Sequence, residues 1–253
     1  MLFLCNKSLK YGNIKENHFV SLSRKDVTKI KKYFIIFSTI LCCSLLFFIE
    51  QSIGVSYIVK TIIKIIAFTL VPYVYFRFYK KQSIKNALNL SSTTKKHFKL
   101  GIIFGAISFG IVLLAYFIFR SYIDIAAISN EMQTKSKITP SNFILVGLYV
   151  TFGNSFLEEF FFRGFVFLNL YELGYTKIAY VFSSIAFALY HLAIFRTWFD
   201  FPIMVLALFG LISVGVIFNW LDTKSKNFIN SWILHILADS AIIIIGMKMF
   251  EII

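Results

Sequence analysis

Six ionisable side chains stand within apolar stretches of the C-terminal half: Glu158, Glu159, Arg163, His191, His235 and Asp239. A charged group at a bilayer centre costs at least about 2.5–3.5 kcal/mol on insertion scales, so such residues are usually paired and functional. Their spacing sorts them. Glu159 and Arg163 are four apart with the acid N-terminal, the favourable order for a helical ion pair, and alone such a pair reads as structural glue. That pairing leaves Glu158, about 100° round the helix, free for chemistry. His235 and Asp239 are also four apart and share one face of the last apolar run.

A carboxylate with an imidazole suits activation of water by general-base catalysis. A second imidazole, oriented by a partner, suits stabilisation of a developing oxyanion. Glu158, His191, His235 and Asp239 are therefore the groups for hydrolysing an amide without a covalent intermediate. Other routes find less support. No Ser lies in a G-x-S-x-G context, and Cys5, Cys42 and Cys43 have no evident base beside them. The H-E-x-x-H zinc signature is absent, and neither a metal nor a cofactor is expected.

These residues need elements to carry them. Of 253 residues, 58% are hydrophobic and 15% charged, with 31 Phe and a net charge of +14. A soluble domain carries about 25% charged residues, so the composition excludes a disordered chain and argues against a soluble enzyme. The basic excess is not that of a nucleic-acid binder, because the Lys and Arg are shared with long apolar runs. The fold expected is all-α, a polytopic transmembrane helix bundle of seven spans, with eight as the alternative count. The spans are Tyr33–Ile49, Gly54–Phe76, Leu100–Phe119, a long helix from about Ser141 to Leu170, Ile178–Phe195, Asp200 to about Leu221, and Asn230 or Ser231 to about Phe250. Thr139 and Pro140 read as the N-cap and first residue of the fourth. Lys60 and Lys64 share a face of the second, either snorkelling outward or lining the bundle interior.

Three regions follow: a basic N-terminal segment 1–32, N-terminal transmembrane helices and loops 33–135, and a catalytic transmembrane core 136–253. Segment 1–32 is basic in the wrong order for a cleaved signal peptide. It holds eight Lys or Arg and segment 77–99 holds seven, which predicts a multi-pass protein of the cell membrane with a cytoplasmic N-terminus. In a hairpin turning at 171–177, Glu158 and His191 fall at the same height, and His235 with Asp239 rises from the same side. The four converge in one pocket, expected to open toward the cytoplasm.

Three short motifs hold these residues: E-E-F-F-F-R at Glu158–Arg163, F-A-L-Y-H at Phe187–His191 and H-I-L-A-D at His235–Asp239. In order and separation they resemble the CAAX protease and bacteriocin-processing family of intramembrane proteases, also called the Abi family. The resemblance covers about residues 140–245. It implies a glutamate-type intramembrane endopeptidase in which Glu158 and His191 activate water, His235 and Asp239 form the oxyanion site, and Glu159 and Arg163 support it. Many members have Asn where this chain has Asp239. An ionised Asp cannot donate to an oxyanion, so Asp239 is either protonated or orients His235. The chain looks like a bacterial member, which implies a membrane-associated peptide or protein precursor, of bacteriocin or quorum-sensing pheromone type, as substrate. Its partners are then that substrate and the lipid bilayer, with no nucleic acid.

Other readings use the same residues. A non-catalytic membrane scaffold or bacteriocin self-immunity protein would retain the pocket without needing Glu158. A zinc protease would take Glu158, His191 and His235 as ligands. A proton-coupled transporter would use the Glu, His and Asp chain as a relay, although no internal repeat is evident.

Overall fold

The structure is a computed structural model in which residues 23–52, 56–89 and 94–253 are described. Most of the basic segment, residues 1–22 with Cys5, lies outside the described residues, as do 53–55 and 90–93. Among the described residues the chain is helices joined by turns, with no strand. The long helices are α1 (Arg24–Ser52), α2 (Tyr57–Val74, continued by a π-helical stretch Tyr75–Lys80), α4 (Lys95–Phe119), α9 (Thr176–Phe195), α10 (Phe201–Ser225) and α11 (Ile229–Met249). Short helices α3 (Ile84–Leu88) and α5 (Ile125–Thr134) lie in the connections.

Six helices among the described residues are long and apolar enough to cross a membrane, against the expected seven or eight. The difference falls on the fourth expected span. Residues 143–172 are helical but change winding along their length. α6 (Phe143–Leu148) passes into a π-helical stretch Tyr149–Asn154. Then α7 (Ser155–Glu159) passes into a second, Phe160–Phe167, before α8 (Leu168–Glu172). π-Helical turns concentrate at functional sites, and these two flank the Glu158–Glu159 pair. Where the winding returns to α, the Asn169 side-chain amide donates to the carbonyls of Gly164 (3.0 Å) and Phe165 (2.7 Å).

Local signals set the helix ends. Ser23 caps α1, accepting from the Asp26 N–H and donating to its carboxylate at 2.7 Å, a reciprocal arrangement that starts the helix well before the apolar run. Asp200 and Pro202 open α10 as expected. The Thr139 cap shifts: 140–142 form a turn, and Asn142 Oδ1 accepts from the Thr139 N–H at 2.8 Å. The 171–177 turn is tight, with Gly174 at φ +87°, a conformation that needs no Cβ.

Phe160–Phe167 are buried on every side and form the bundle's centre, packed by α1, α2, α9 and α10. Phe68 of α2 stacks on Phe161 with ring centroids 4.0 Å apart. Outward-facing apolar side chains such as Phe117, Leu145, Phe201 and Phe209 are exposed, as expected where lipid is the solvent. α11, which carries two of the site residues, is held by α4. A Cβ on Gly101 would come within 3.0 Å of the Asn230 carbonyl, and one on Gly105 would strike Leu237. This Gly-x-x-x-Gly face lets two backbones meet closely, a frequent device between helices in lipid.

Candidate active site

Glu158 and Glu159 project from α7 in different directions, and both are fully buried. Glu158 faces α2 and α9. Its Oε1 accepts from the Asn154 amide at 2.8 Å and the Tyr190 hydroxyl at 3.1 Å, with the Lys64 ammonium at 3.4 Å. Its Oε2 accepts no hydrogen bond. That oxygen faces Nε2 of His191 at 3.5 Å and Nε2 of His235 at 3.9 Å.

The two imidazoles are oriented from behind. His191 Nδ1 lies 2.9 Å from the Phe187 carbonyl, four residues back on α9. A carbonyl only accepts, so Nδ1 carries the proton there, and in the neutral ring Nε2 is the free lone pair. His235 Nδ1 lies 2.8 Å from Glu159 Oε1, and that carboxylate also takes a hydrogen bond from Arg163 at 3.2 Å. The Arg163 guanidinium is buried between the rings of Phe187 (4.0 Å) and Phe218 (4.5 Å). Cation–π contact of this kind holds a guanidinium without water. Asp239 Oδ1 stands 3.6 Å from His235 Nε2, one helical turn further along α11.

All six residues singled out in the sequence thus meet in one place. The height argument for Glu158 and His191 agrees with their 3.5 Å separation. Glu159 and Arg163 pair as their spacing implied. Glu158, however, is not left without a cation, because Lys64 reaches it. Of the two lysines on the α2 face, Lys60 bonds Glu50 at 2.6 Å, while Lys64 turns inward to Asn154 and Glu158.

Lys64, Asn154 and Tyr190 were not among the expected site residues. Tyr190 sits beside His191 within an expected motif, and Asn154 is four residues before Glu158, so helical spacing could have found both. A further buried acid, Asp222, lies one level below. It accepts from the Ser231 hydroxyl at 2.8 Å and joins α10 to α11, where the sequence suggested only a polar turn.

The expected opening toward the 171–177 turn is not met. Phe68, Phe162, Phe187 and Leu234 lie on that side of the polar groups and are at most 2% exposed. Residual exposure is found on the side chains of His191 (17%), Lys64 (17%) and Asp239 (11%). His191 and Asp239 are about a helical turn further from the turn than Phe187 and Leu234. Large rings fill the bundle below the site and close that route.

Chemically, an unpartnered carboxylate oxygen beside an imidazole lone pair is a place for a water molecule to give up a proton. The second imidazole faces the same point from another helix. Glu158, His191 and His235 also bring three possible ligand atoms within 4.8 Å of one another.

The model of the family described as type II CAAX prenyl endopeptidase Rce1-like matches residues 140–241. Comparison with the curated proteins and with the solved structures gives no match to this chain. The matched segment begins in the turn before α6 and ends in α11, and it contains all three motifs. The match to that family model covers residues 140–241, the segment in which the three motifs were read.

Proposed function

With residues 140–241 matching a CAAX-type intramembrane endopeptidase, we propose that this chain hydrolyses a peptide bond of a membrane-associated peptide or protein precursor by Glu158- and His191-activated water. The carrying observation is the asymmetry of the Glu158 carboxylate. Oε1 is held by donors, and Oε2 is unpartnered 3.5 Å from His191 Nε2. In the reaction, water between Oε2 and Nε2 loses a proton to this pair as its oxygen bonds the carbonyl carbon. The proton then passes to the departing amine nitrogen as the C–N bond breaks, so the pair returns to its starting state.

His235 serves the oxyanion. Its Nδ1 already donates to Glu159, so donation from Nε2 requires a doubly protonated ring. Asp239 beside Nε2 and Glu159 on Nδ1 are placed to balance that cation. We therefore assign Asp239 to orienting and balancing His235 rather than to donating a hydrogen bond. The precursor is proposed to be of bacteriocin or pheromone type, and the protein to lie in the cell membrane with its N-terminus cytoplasmic. The alternative, a non-catalytic scaffold or self-immunity protein, requires the pocket but not its chemistry.

The test is cleavage of a fluorescence-quenched, prenylated peptide with a Cys-aliphatic-aliphatic-X terminus, or of a candidate precursor, in membranes holding the full chain. Glu158→Ala and His191→Ala each abolish cleavage on this account. Cleavage surviving both changes removes the proposal. A phenotype that persists in Glu158→Ala without cleavage by the wild type favours the scaffold.

One observation favours a second reading, a zinc protease. The three ligand atoms converge, and each histidine offers its other nitrogen to an acceptor, the usual support of a metal-bound imidazole. Lys64, 3.4 Å from Glu158, sets a positive charge beside the same carboxylate and opposes it. Stoichiometric zinc in the purified protein, with activity lost on chelation and restored by zinc, would establish the metal reading. Activity that survives complete chelation would exclude it.

A further inference from the structure

Lys64 is the one Lys or Arg paired with Glu158 among the described residues, and it lies on α2, outside the segment that matches the family model. Its ammonium is closer to Asn154 Oδ1 (2.6 Å) than to Glu158 Oε1 (3.4 Å). Asn154 in turn donates through Nδ2 to the same Oε1 at 2.8 Å. The amide is therefore a relay. Lys64 holds its oxygen end, so its nitrogen end must face the carboxylate. Carboxylate and ammonium fix the amide together: a flipped amide would set its oxygen against Oε1, two acceptors in contact, and its nitrogen against the ammonium, two donors. The lysine is steadied over the Tyr190 ring at 5.3 Å, and the Tyr190 hydroxyl supplies the other donor to Oε1.

Each of the two glutamates also has its own cation. Glu159 has Arg163 and His235. Glu158 has Lys64 from α2, with Tyr190 and His191 of α9 on one side and His235 of α11, backed by Asp239, on the other. A buried carboxylate stripped of its cation is left uncompensated, at a cost the interior does not return.

We propose that Lys64 is a positioning residue of the reaction: through Asn154 and directly it fixes Oε1 of Glu158, so that Oε2 alone is presented to water. This rests on the hydrolytic reading of Glu158 above. It makes the N-terminal helices part of the working site rather than a membrane anchor for it.

The experiment compares wild type, Lys64→Met, Lys64→Arg and Asn154→Leu, each as the full chain in lipid nanodiscs, using the quenched prenylated peptide. Lys64→Met is expected to lower kcat by about tenfold or more while KM stays within about twofold; the melting temperature falls, because Glu158 loses its cation, but the fold is kept. Lys64→Arg restores most of the lost kcat, since it keeps a donor cation. Asn154→Leu reproduces the Lys64→Met pattern and serves if Lys64→Met fails to fold. Wild-type kcat in Lys64→Met or in Asn154→Leu overturns the proposal, as does a loss that appears only in KM. Glu158→Ala, measured alongside, separates the two levels. If it remains active, the hydrolytic reading fails. If it is inactive while Lys64→Met runs at full rate, only the role of Lys64 fails.

Discussion

Glu158 Oε2 and His191 Nε2 face each other at 3.5 Å across the gap between α7 and α9, and neither atom has a hydrogen-bond partner. Residues 33 positions apart are brought level because the chain turns midway between them, at 171–177. Two acceptors held this close without a shared proton call for a donor between them, and water is the donor the proposed hydrolysis requires.

Arg163 ties the pocket's charge to its aromatic wall. It neutralises Glu159 and fills the space between Phe187 and Phe218. Removing one partner of a buried ion pair costs about 3–5 kcal/mol, so Arg163→Met should lower the melting temperature and expression sharply. Arg163→Lys should recover little, because a compact ammonium cannot stack between two rings as a guanidinium does. Thermal unfolding in detergent checks both.

Glu159 accepts from Nδ1 of His235 and balances the charge of its ring. Glu159→Gln keeps the shape but replaces an acceptor-only group with one that can donate, and it removes the negative charge beside the ring. If His235 supports the oxyanion, Glu159→Gln and His235→Ala should each reduce kcat by about 10²–10³-fold, the usual loss of one oxyanion donor. The two changes together should cost hardly more than either alone, a non-additivity read from a double-mutant cycle.

The α4–α11 contact sets where His235 sits. Gly105→Leu places a side chain where Leu237 already packs. Overpacking of this kind costs about 1–3 kcal/mol, and here it displaces α11 at the level of the site. Activity should fall further than stability does, measured as kcat against melting temperature. Gly110, with open space around it, is the control position and should tolerate Ala.

Outside the spans, α5 is tied to the segment after α9 through Glu131, whose carboxylate accepts from the Thr197 hydroxyl at 2.9 and 3.0 Å and from Lys135 at 2.6 Å. Partial burial pushes the Glu131 carboxyl up, but the hydrogen bonds from Lys135 and Thr197 and the Lys135 charge outweigh it and hold it below the ordinary glutamate value. A carboxylate lowered on folding stabilises above its unfolded value, and that contribution is lost as pH falls through its folded value. Hydrogen exchange in residues 125–134 should therefore rise only below the ordinary glutamate range. Thr197→Val should move the onset to higher pH.

The site was more legible in the sequence than the helix that bears it. Ionisable residues in apolar runs are rare enough to stand out, and spacing of four paired Glu159 with Arg163 and placed His235 with Asp239. Lys64 was visible as an odd charge on α2. Its destination was not, because Asn154 and Glu158 lie 90 and 94 residues away. The π-helical winding around Glu158 left no local signature, since the register of backbone bonds there depends on how the surrounding rings pack. Phe68, Phe162 and Phe187 closed the side expected to be open for a related reason: apolar periodicity reports which face is buried and not what fills the space below it.

The central claim is that Glu158 acts as the base, and Glu158→Gln tests it most directly because it preserves shape and removes only the proton acceptor. The quantity is kcat for the quenched prenylated peptide in lipid nanodiscs, with the melting temperature as a check on folding. General-base catalysis contributes about 10²–10⁴-fold, so the account predicts a fall of at least about a hundredfold with an intact fold. A folded Glu158→Gln protein that cleaves at the wild-type rate would contradict it.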